Sequence, residues 1–454
     1  MTAKLLRISL ALGALALTAC SSARSLPAAP AFGSWPARAD ADASVHIGKY
    51  IKHVIVIIQE NRSFENFFAG YPRADAPLYG YALKGRTRIQ VPLHGISFRG
   101  PDLRHDWYSA THDWDSGKMD GFDEFGKNPH NGPHPAYAFV QHDLVAPYWT
   151  MAQQYVLADR MFPTEFGGSF TGHLTLIAGT DNLTPVKAEV DFPSALPDDC
   201  DSPPGTISGV VGLSRKPVYD GPFPCFDQFN TIATTLDAAK VPWKIYATHK
   251  LDAGMWEPFE AIEGVRYGPD WKHSIIAPQT RILSDPAAGK LASVTWVTPS
   301  TKDSDHPAYF SDRGPSWVAS VVNAIGESKY WKSSAIVVVW DDWGGWYDNA
   351  PPKQLDFRGL GIRVPCLVIS PYARKGYVSH YRYEFGTILN LIEQAFNLPP
   401  LGPEKDGYTD VRAGGMDKVF DFTKGPRPFV PIKAKYPTSA FLHEPPSNEP
   451  VDTQ

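Results

Sequence analysis

The sequence predicts an α/β protein with a mostly parallel central sheet, helices on both faces of that sheet, and loop-rich insertions. Of its 454 residues, 43% are hydrophobic, so the chain can bury a large core. Short, continuous, β-branched runs recur along the chain, and such runs are typical of strands that are covered on both faces. Helical segments separate these runs, and this alternation favours a parallel sheet.

The first strand is predicted at 52–59, where the sequence reads KHVIVIIQ. Further strands are predicted at 243–247, 293–298, 335–340 and 364–370. Helices are predicted at about 146–158, 170–178, 226–240, 315–328 and 384–397. These elements define a folded domain over 49–420, with insertions at about 181–225 and 250–290 and a polar, proline-rich tail over 421–454.

Residues 1–19 predict an export signal, because a basic start precedes an apolar run that is too short to cross a bilayer as a helix. The run LTAC, which ends at Cys20, resembles a bacterial lipobox, in which the cysteine is lipidated and becomes the mature N-terminus. The alternative is an ordinary cleaved signal that contains Cys20. We expect an exported protein held to the membrane through lipidated Cys20, in the outer membrane or periplasm, with 20–48 as a flexible tether.

Three cysteines follow Cys20, and an oxidising compartment permits a disulfide. Cys200 and Cys225 lie in turn-rich pieces of one insertion, and we predict that they form a bridge. Cys366 lies in the apolar run VPCLVIS, where a free cysteine behaves as a small buried hydrophobe.

The charge balance argues against a nucleic-acid partner. Lys and Arg number 43 against 48 for Asp and Glu, which gives a net charge of −5. Such a chain offers no overall basic field to hold a nucleic-acid backbone.

Polar residues follow two of the predicted strands at the point where each strand ends. Glu60-Asn61 follows the first strand and Asp341-Asp342 follows the fourth, while His306 lies shortly after the third. In open α/β sheets the functional site lies outside the carboxyl ends of the strands. Carboxylate and amide oxygens suit a divalent cation. The alternative is that these residues are helix caps or turn formers.

Ser169 is the candidate nucleophile. It follows Gly167-Gly168 at the start of a predicted helix, where free amides and the helix dipole favour an anion such as phosphate. An ordinary serine N-cap is the alternative. Several histidines precede Ser169 in the sequence, among them His105 and His112. Most of these histidines are expected to be structural or exposed.

Six motifs, in this order, resemble the bacterial phosphoesterase family that contains non-specific phospholipases C and secreted acid phosphatases. The similarity covers roughly 50–400. The motifs are ENRSFENFFAGYP at 60–72, GKMDGF at 117–122, FGGSFTGH at 166–173, the pair His306-Pro307, WDDWGGWYD at 340–348, and VSHYRYEFGTILNLIE at 378–393.

The resemblance implies an alkaline phosphatase-like fold and a phosphoesterase catalytic domain over 49–420. It implies a divalent metal, with Mg²⁺, Ca²⁺ or Mn²⁺ favoured by the oxygen-rich ligands. It assigns the metal ligands and catalytic residues as follows: Glu60, Asn61, Asp341 and Asp342 as ligands, Ser169 as the nucleophile, and His105 and His306 as the histidines that bind phosphate or protonate the leaving group.

The expected function is therefore metal-dependent hydrolysis of a phosphoric ester, through a serine nucleophile and a phosphoserine intermediate. The substrate is a small phosphate ester or a phospholipid headgroup, and the sequence leaves open whether the enzyme is a phosphatase or a phospholipase C. The alternative is a catalytically inactive surface lipoprotein that uses the fold for binding.

Two positions depart from the family pattern. Asn349 stands where many members have a histidine, and an asparagine cannot act as a general acid. Phe385 replaces another histidine that is found in many phospholipases C, whereas His380 fits the pattern of the acid phosphatases.

Overall fold

The computed structural model describes residues 47–125, 132–249 and 254–444, all of which belong to one compact unit. The predicted signal peptide, Cys20 and nearly all of the predicted tether lie outside the described residues. Among the described helices, none is both long and apolar enough to cross a membrane.

In chain order, the strands are β1 (His53–Gln59), β2 (Tyr79–Lys84), β3 (Thr87–Pro92), β4 (His94–Ile96), β5 (Ala138–Val140), β6 (Val156–Ala158), β7 (Met161–Phe162), β8 (Asn182–Thr184), β9 (Lys187–Asp191), β10 (Gly209–Gly212), β11 (Pro217–Val218), β12 (Trp243–Tyr246), β13 (Ile275–Ile276), β14 (Val294–Val297), β15 (Ser334–Trp340), β16 (Cys366–Ile369), β17 (Tyr377–Ser379) and β18 (Tyr383–Glu384).

The α-helices, in the same order, are α1 (Ile47–Tyr50), α2 (Phe64–Phe68), α3 (Trp107–Trp114), α4 (Ala146–Gln154), α5 (Ser169–Ala178), α6 (Ile232–Ala238), α7 (Glu263–Arg266), α8 (Asp270–His273), α9 (Gly314–Gly326), α10 (Phe385–Phe396) and α11 (Ser439–Leu442). Short 3₁₀ helices connect several of these elements.

Eight strands form the central sheet, in the order β13-β12-β14-β1-β15-β16-β6-β17. Neighbouring strands in this sheet run parallel, except that β16 is antiparallel to both β15 and β6. Every residue of β15 is buried, as is every residue of β1 after His53. Because successive side chains of a strand point to opposite faces, both faces of these strands are covered. The predicted fold class is confirmed.

The helices pack in pairs next to this sheet: α4 contacts α9, and α5 contacts α10. Helix α10 begins with a capping box, in which the Glu384 carboxylate accepts from the backbone of Thr387 and the Thr387 side chain accepts from the Glu384 backbone N–H at 3.2 Å. This reciprocal pairing satisfies two amide donors that a helix start otherwise leaves unpaired.

Two predicted helices are too long. The helix predicted over 146–158 ends at Gln154, and 156–158 is instead strand β6, which lies between β16 and β17. A short apolar run such as VLA does not by its periodicity distinguish strand from helix, and pairing with distant strands decides the outcome. The helix predicted over 226–240 is confined to α6, because Phe226 forms a bridge with Ile262.

The segment 181–225 carries a separate four-stranded sheet, ordered β11-β10-β9-β8. The predicted disulfide between Cys200 and Cys225 is confirmed, and it closes the last part of this segment. Cys366 is a buried free thiol in β16, as predicted. Within 254–290, short helices precede β13, which forms the edge of the central sheet.

The C-terminal residues up to 444 pack on the domain. Phe429 contacts Trp331 edge-on, with ring centroids 4.9 Å apart, and Phe441 contacts Trp317 at 5.7 Å. Ile432 and Phe441 are buried. This part of the predicted tail therefore contributes apolar side chains to the core.

Candidate active site

The candidate site begins where the parallel strands β1 and β15 end. Their last residues, Gln59 and Trp340, are register partners, and the Asp341 backbone N–H donates to the Gln59 carbonyl at 3.1 Å. Glu60 and Asp341 therefore leave the sheet side by side. Because β15 has already ended at Trp340, the side chains of Asp341 and the next residue are free of the strict alternation of a strand.

Three fully buried side chains meet at this edge: Glu60, Asp341 and His173. The nitrogen and carboxylate oxygens that they offer all lie within 4.8 Å of one another. His173 Nε2 lies 2.9 Å from Glu60 Oε1 and 4.0 Å from Asp341 Oδ2. Two carboxylates and an imidazole in this arrangement can hold a divalent cation.

The chemistry of these three residues fits a metal ion. Burial lowers the pKa of His173 to about 4, so its imidazole is neutral, which is the form that binds metals. Asp341 Oδ2 is buried and accepts no hydrogen bond from the described residues. Buried charges are normally paired or coordinate a metal, and a cation between these groups supplies the missing partner.

Sequence reasoning did not assign His173 a role. The residue lies within the FGGSFTGH motif, four residues after Ser169 on α5. Positions i and i+4 share one face of a helix, so this spacing places the two side chains on the same side of α5. That spacing was the signal that could have identified it.

Asn61 connects the carboxylate group to the nucleophile candidate. Its backbone N–H donates to Asp341 Oδ1 at 3.0 Å. Its side-chain amide donates to Ser169 Oγ at 3.2 Å and to Asp342 Oδ2 at 3.4 Å, and contacts His105 Nε2 at 2.8 Å. Through its backbone and its side chain, Asn61 therefore contacts four of the predicted site residues.

Ser169 is the first residue of α5, and Gly168 is its N-cap, so the serine is not the cap itself. Its hydroxyl donates to Asp342 Oδ2 at 3.2 Å. The other oxygen of that carboxylate accepts from the Gly344 backbone N–H at 2.7 Å, which fixes its orientation. Asp342 thus forms a turn, as the alternative interpretation held, and also holds the serine hydroxyl.

His105 and His306 face the same region, with ring centroids 6.0 Å apart. His105 Nδ1 lies 2.6 Å from the Leu103 carbonyl and must donate to it, so in the neutral ring Nε2 accepts from Asn61. His306 Nδ1 accepts from the Ala308 backbone N–H at 3.1 Å, so its proton is on Nε2. The two buried histidines therefore present different groups, an acceptor and a donor.

Asp305 holds the backbone that leads into His306. Its Oδ2 accepts from the Tyr148 hydroxyl at 2.6 Å and from Gln59 Nε2 at 3.2 Å, and its carbonyl accepts from Arg62 Nε at 2.9 Å. Burial raises the pKa of Asp305 to about 7, although Tyr148 and Arg62 oppose this shift. This network connects the His306 loop to the end of β1.

Two glycines permit the close approach of these elements. A Cβ at Gly172 of α5 would lie 2.8 Å from the Asp341 carbonyl oxygen, and a Cβ at Gly344 would overlap the Asn61 carbonyl oxygen. Gly344 also has a φ of +63°, which side chains disfavour. The glycines of the FGGSFTGH and WDDWGGWYD motifs thus let the helix and the strand-end turn reach the site.

Asn349, which replaces a family histidine, takes part in a structural network. Its Oδ1 accepts from Arg363 Nη2 at 2.8 Å, and its Nδ2 donates to Asp75 Oδ1 at 3.0 Å. Arg363 also forms a fully buried ion pair with Asp348 at 2.9 Å. The amide therefore bridges a cation and a carboxylate, a role that needs both a donor and an acceptor.

The remaining candidates have other partners. His380 Nδ1 pairs with Asp159 Oδ2 at 2.8 Å, and the two residues follow the neighbouring parallel strands β17 and β6. Phe385 is fully buried at the start of α10. His112 Nδ1 donates to the Tyr108 carbonyl of its own helix at 2.7 Å.

Comparisons with known proteins show the relationships of this chain. It is 25% identical over 437 residues to "Phospholipase C A" of Mycobacterium tuberculosis, an alignment that covers 83% of this chain and 78% of the relative. It is 24% identical over 430 residues to "Non-hemolytic phospholipase C" of Pseudomonas aeruginosa, with 82% and 58% covered.

Among solved structures, a protein in the alkaline phosphatase superfamily from Vibrio parahaemolyticus aligns over 80% of this chain and 69% of its own, with 11% identity and a TM-score of 0.37. The Phosphoesterase family matches residues 51–399, which is more than half of the chain. The chain therefore belongs to the Phosphoesterase family.

Proposed function

We propose that this protein is a metal-dependent hydrolase of phosphoric esters in which Ser169 is the nucleophile. Membership of the Phosphoesterase family, together with relatives named phospholipase C, supports the hydrolysis of phosphoric esters. The arrangement around Ser169 supports its role as the attacking group.

The observation that carries this proposal is the pair of hydrogen bonds at Ser169 Oγ. The hydroxyl donates to Asp342 Oδ2 at 3.2 Å and accepts from Asn61 Nδ2 at 3.2 Å. A carboxylate within hydrogen-bond distance can accept the hydroxyl proton as the oxygen attacks. The amide donor stabilises the negative charge that develops on the serine oxygen.

The start of α5 suits a phosphoryl group. Ser169 is the first residue of this helix, and the backbone N–H groups of a first helical turn have no partners inside the helix. These amides and the positive end of the helix dipole attract the phosphoryl oxygens. The binding of phosphate beside Ser169 Oγ follows from that position.

Glu60, His173 and Asp341 hold the metal, with Asn61 and Asp342 adjoining them. When bound, a divalent cation neutralises phosphoryl oxygens and lowers the pKa of the serine hydroxyl. The oxygen ligands alone favoured Mg²⁺, Ca²⁺ or Mn²⁺. The added imidazole of His173 favours a cation that accepts both nitrogen and oxygen, so we propose Mn²⁺ ahead of Ca²⁺ and Mg²⁺.

In the reaction, Ser169 Oγ attacks phosphorus and the bond from phosphorus to the leaving oxygen breaks, which gives phosphoserine. His306 donates its Nε2 proton to the leaving alcohol, since Nδ1 is occupied as an acceptor from Ala308. Water then attacks the phosphorus of the phosphoserine and gives a proton back to His306 Nε2. The bond from phosphorus to Ser169 Oγ breaks, the serine oxygen recovers its proton from Asp342, and phosphate is released, or a phosphomonoester when the substrate is a diester. His105, held by Leu103, orients Asn61 towards the serine.

The substrate is a small phosphate ester or a phospholipid headgroup. The experiment measures hydrolysis of a chromogenic phosphate monoester and of the matching phosphocholine diester, with Mn²⁺, Mg²⁺ or Ca²⁺ added. We expect turnover of at least one substrate with metal and none after chelation. Absence of turnover on both substrates with every metal would instead support a binding lipoprotein.

Ser169→Ala tests the nucleophile in the same assay. We expect less than about a tenth of the wild-type kcat, because only the reactive oxygen is lost. Phosphopeptide mapping of acid-quenched wild-type protein should find phosphate on Ser169. Substantial activity in the variant, with unchanged fold, would assign the attack to water instead.

We also propose that the protein is exported and held at the membrane through a lipidated Cys20. The signal-like residues 1–19 and the lipobox-like run ending at Cys20 support this proposal. Such an anchor would place a phospholipid headgroup within reach of the domain.

A further inference from the structure

A second group of carboxylates lies where the insertion closed by the disulfide meets the segment 254–290. The side chains of Asp199, Asp201 and Glu260 each offer an oxygen, and these oxygens lie within 4.8 Å of one another. None of the three residues belongs to the site around Ser169. The group brings together two segments that are distant in sequence, 199–201 and the short 3₁₀ helix Pro258–Ala261.

A backbone hydrogen bond joins these two segments, and a disulfide anchors the first of them. Asp199 and Asp201 flank Cys200, which is bonded to Cys225. The Cys200 backbone N–H donates to the Glu260 carbonyl at 3.3 Å. The three carboxylates are therefore positioned by the fold and do not meet only through flexible side chains.

Glu260 is the observation that points to a ligand. Its side chain is fully buried, and neither of its carboxylate oxygens has a hydrogen-bond partner among the described residues. A buried carboxylate without a partner is costly, and the cost rises when other carboxylates lie beside it. A bound cation or a proton must offset the negative charge of these clustered carboxylates.

The nearby arginine offsets only part of this charge, because burial and the neighbouring carboxylates raise the pKa of Glu260 although Arg266 opposes that shift. Arg266 donates from Nε to Asp201 Oδ2 at 2.7 Å and from Nη2 to Asp201 Oδ1 at 3.0 Å. This two-bond contact orients the Asp201 carboxylate, although Arg266 is not part of the carboxylate group. Both Asp201 oxygens keep further lone pairs that can bind a cation.

Further acidic groups adjoin the same place. Asp198 and Glu257, both buried, line a small cavity together with Asp199. The volume of this cavity is about 10 Å³, which is room for about one water-sized sphere. Its apolar wall is formed in part by Phe170 and Leu174 of α5.

We propose that Asp199, Asp201 and Glu260 bind a structural Ca²⁺ ion. All three ligands offer oxygen, and they come from two separate segments. Ca²⁺ accepts six to eight oxygen ligands in irregular geometry, whereas Mg²⁺ requires a near-ideal octahedron. The acidic neighbours Asp198 and Glu257 add negative charge only when they are ionised, since burial raises the pKa of Asp198 to about 7 and that of Glu257 to about 8.

The location gives this ion a structural role. The 3₁₀ helices Gly254–Trp256 and Pro258–Ala261 both contact α5, the helix that begins with Ser169. Binding of Ca²⁺ stabilises the folded state by mass action and fixes the packing behind that helix. This inference does not depend on the proposed hydrolase activity.

The test is calorimetric titration of the metal-free full chain with Ca²⁺, combined with thermal unfolding. Asp341→Asn, which removes a ligand of the site around Ser169, isolates the second site. We expect Ca²⁺ to bind to this variant and to raise its Tm. Absence of both binding heat and a Tm shift would show that the carboxyl groups are protonated instead, and would overturn the proposal.

Glu260→Gln in the Asp341→Asn background removes one charge with little change of shape. We expect it to abolish the Ca²⁺ heat and the rise in Tm, and an unchanged titration would overturn the proposal. Should this variant fail to fold, Asp201→Asn replaces a partly exposed ligand and should weaken Ca²⁺ binding at least about tenfold. Asp220→Asn, at an exposed aspartate of the same insertion, is the matched control and should titrate like its parent.

Discussion

His173 Nε2 lies 2.9 Å from Glu60 Oε1, and both side chains are completely buried. Because burial lowers the pKa of His173 to about 4, this contact is a hydrogen bond between a neutral imidazole and a carboxylate, and not a full ion pair. Such a contact brings no positive charge of its own to the buried Glu60 carboxylate. A cation bound between Glu60, His173 and Asp341 takes the place of the proton on Nε2, with the ring proton then on Nδ1, and this makes His173 a candidate ligand.

The first prediction is that His173→Ala weakens Mn²⁺ binding at least about tenfold, since loss of a direct ligand costs no less than loss of an outer partner. Isothermal titration with Mn²⁺ measures the effect, and phosphoesterase activity at fixed Mn²⁺ should fall with it. His112→Ala is the matched control, because that histidine bonds within its own helix. Equal Mn²⁺ affinity in both variants would remove His173 from the metal site.

The contrast between predicted and unpredicted residues has a physical origin. Glu60 and Asp341 could be predicted because each follows a continuous apolar strand, and the ends of parallel strands meet at one edge of a sheet. Their proximity therefore follows from local sequence together with a single topological rule.

His173 and strand β6 required information that lies elsewhere in the chain. His173 reaches the carboxylates only because α5 packs against the strand ends, an approach that Gly172 permits. Strand β6 has three residues, and its conformation depends on pairing with β16 and β17, which lie about 200 residues later. The local sequence pattern therefore predicts neither the position of His173 nor strand β6.

The second prediction separates Asp341 from an ordinary turn former. With Ca²⁺ kept saturating, addition of Mn²⁺ should raise the Tm of the wild type, because a ligand at 100 times its Kd stabilises the native state by about 2.7 kcal/mol. Asp341→Asn should abolish this rise, whereas Asp220→Asn, at an exposed surface pair, should retain it. A full Mn²⁺ effect in Asp341→Asn would leave that residue with only its bond to the Asn61 backbone.

The third prediction concerns Cys20, which lies outside the described residues. In bacterial cells the wild type should fractionate with membranes, and Cys20→Ser should be exported but soluble, because lipidation needs the cysteine thiol. Fractionation and the mass of the mature N-terminal peptide measure this difference. A wild type that is wholly soluble after export would refute the anchor.

The last prediction is a pH dependence of stability at Asp305. Burial raises the pKa of this carboxyl from 3.8 to about 7 in the folded state, so the native protein binds its proton more tightly than the unfolded chain does. The stability that this proton contributes is fully present below about pH 4 and is lost as the pH rises towards about 7. Within that window, one group changes the free energy of unfolding by up to about 1.4 kcal/mol per pH unit.

Asp305→Asn removes the titration while keeping an oxygen to accept from Tyr148 and Gln59. Urea unfolding at about pH 5 and about pH 7, with chelator present so that metal binding makes no contribution, measures the effect. We expect the wild type to lose more stability than the variant between these two pH values. Parallel losses in the two proteins would mean that Asp305 is ionised throughout, with Arg62 and the Tyr148 hydroxyl offsetting its burial.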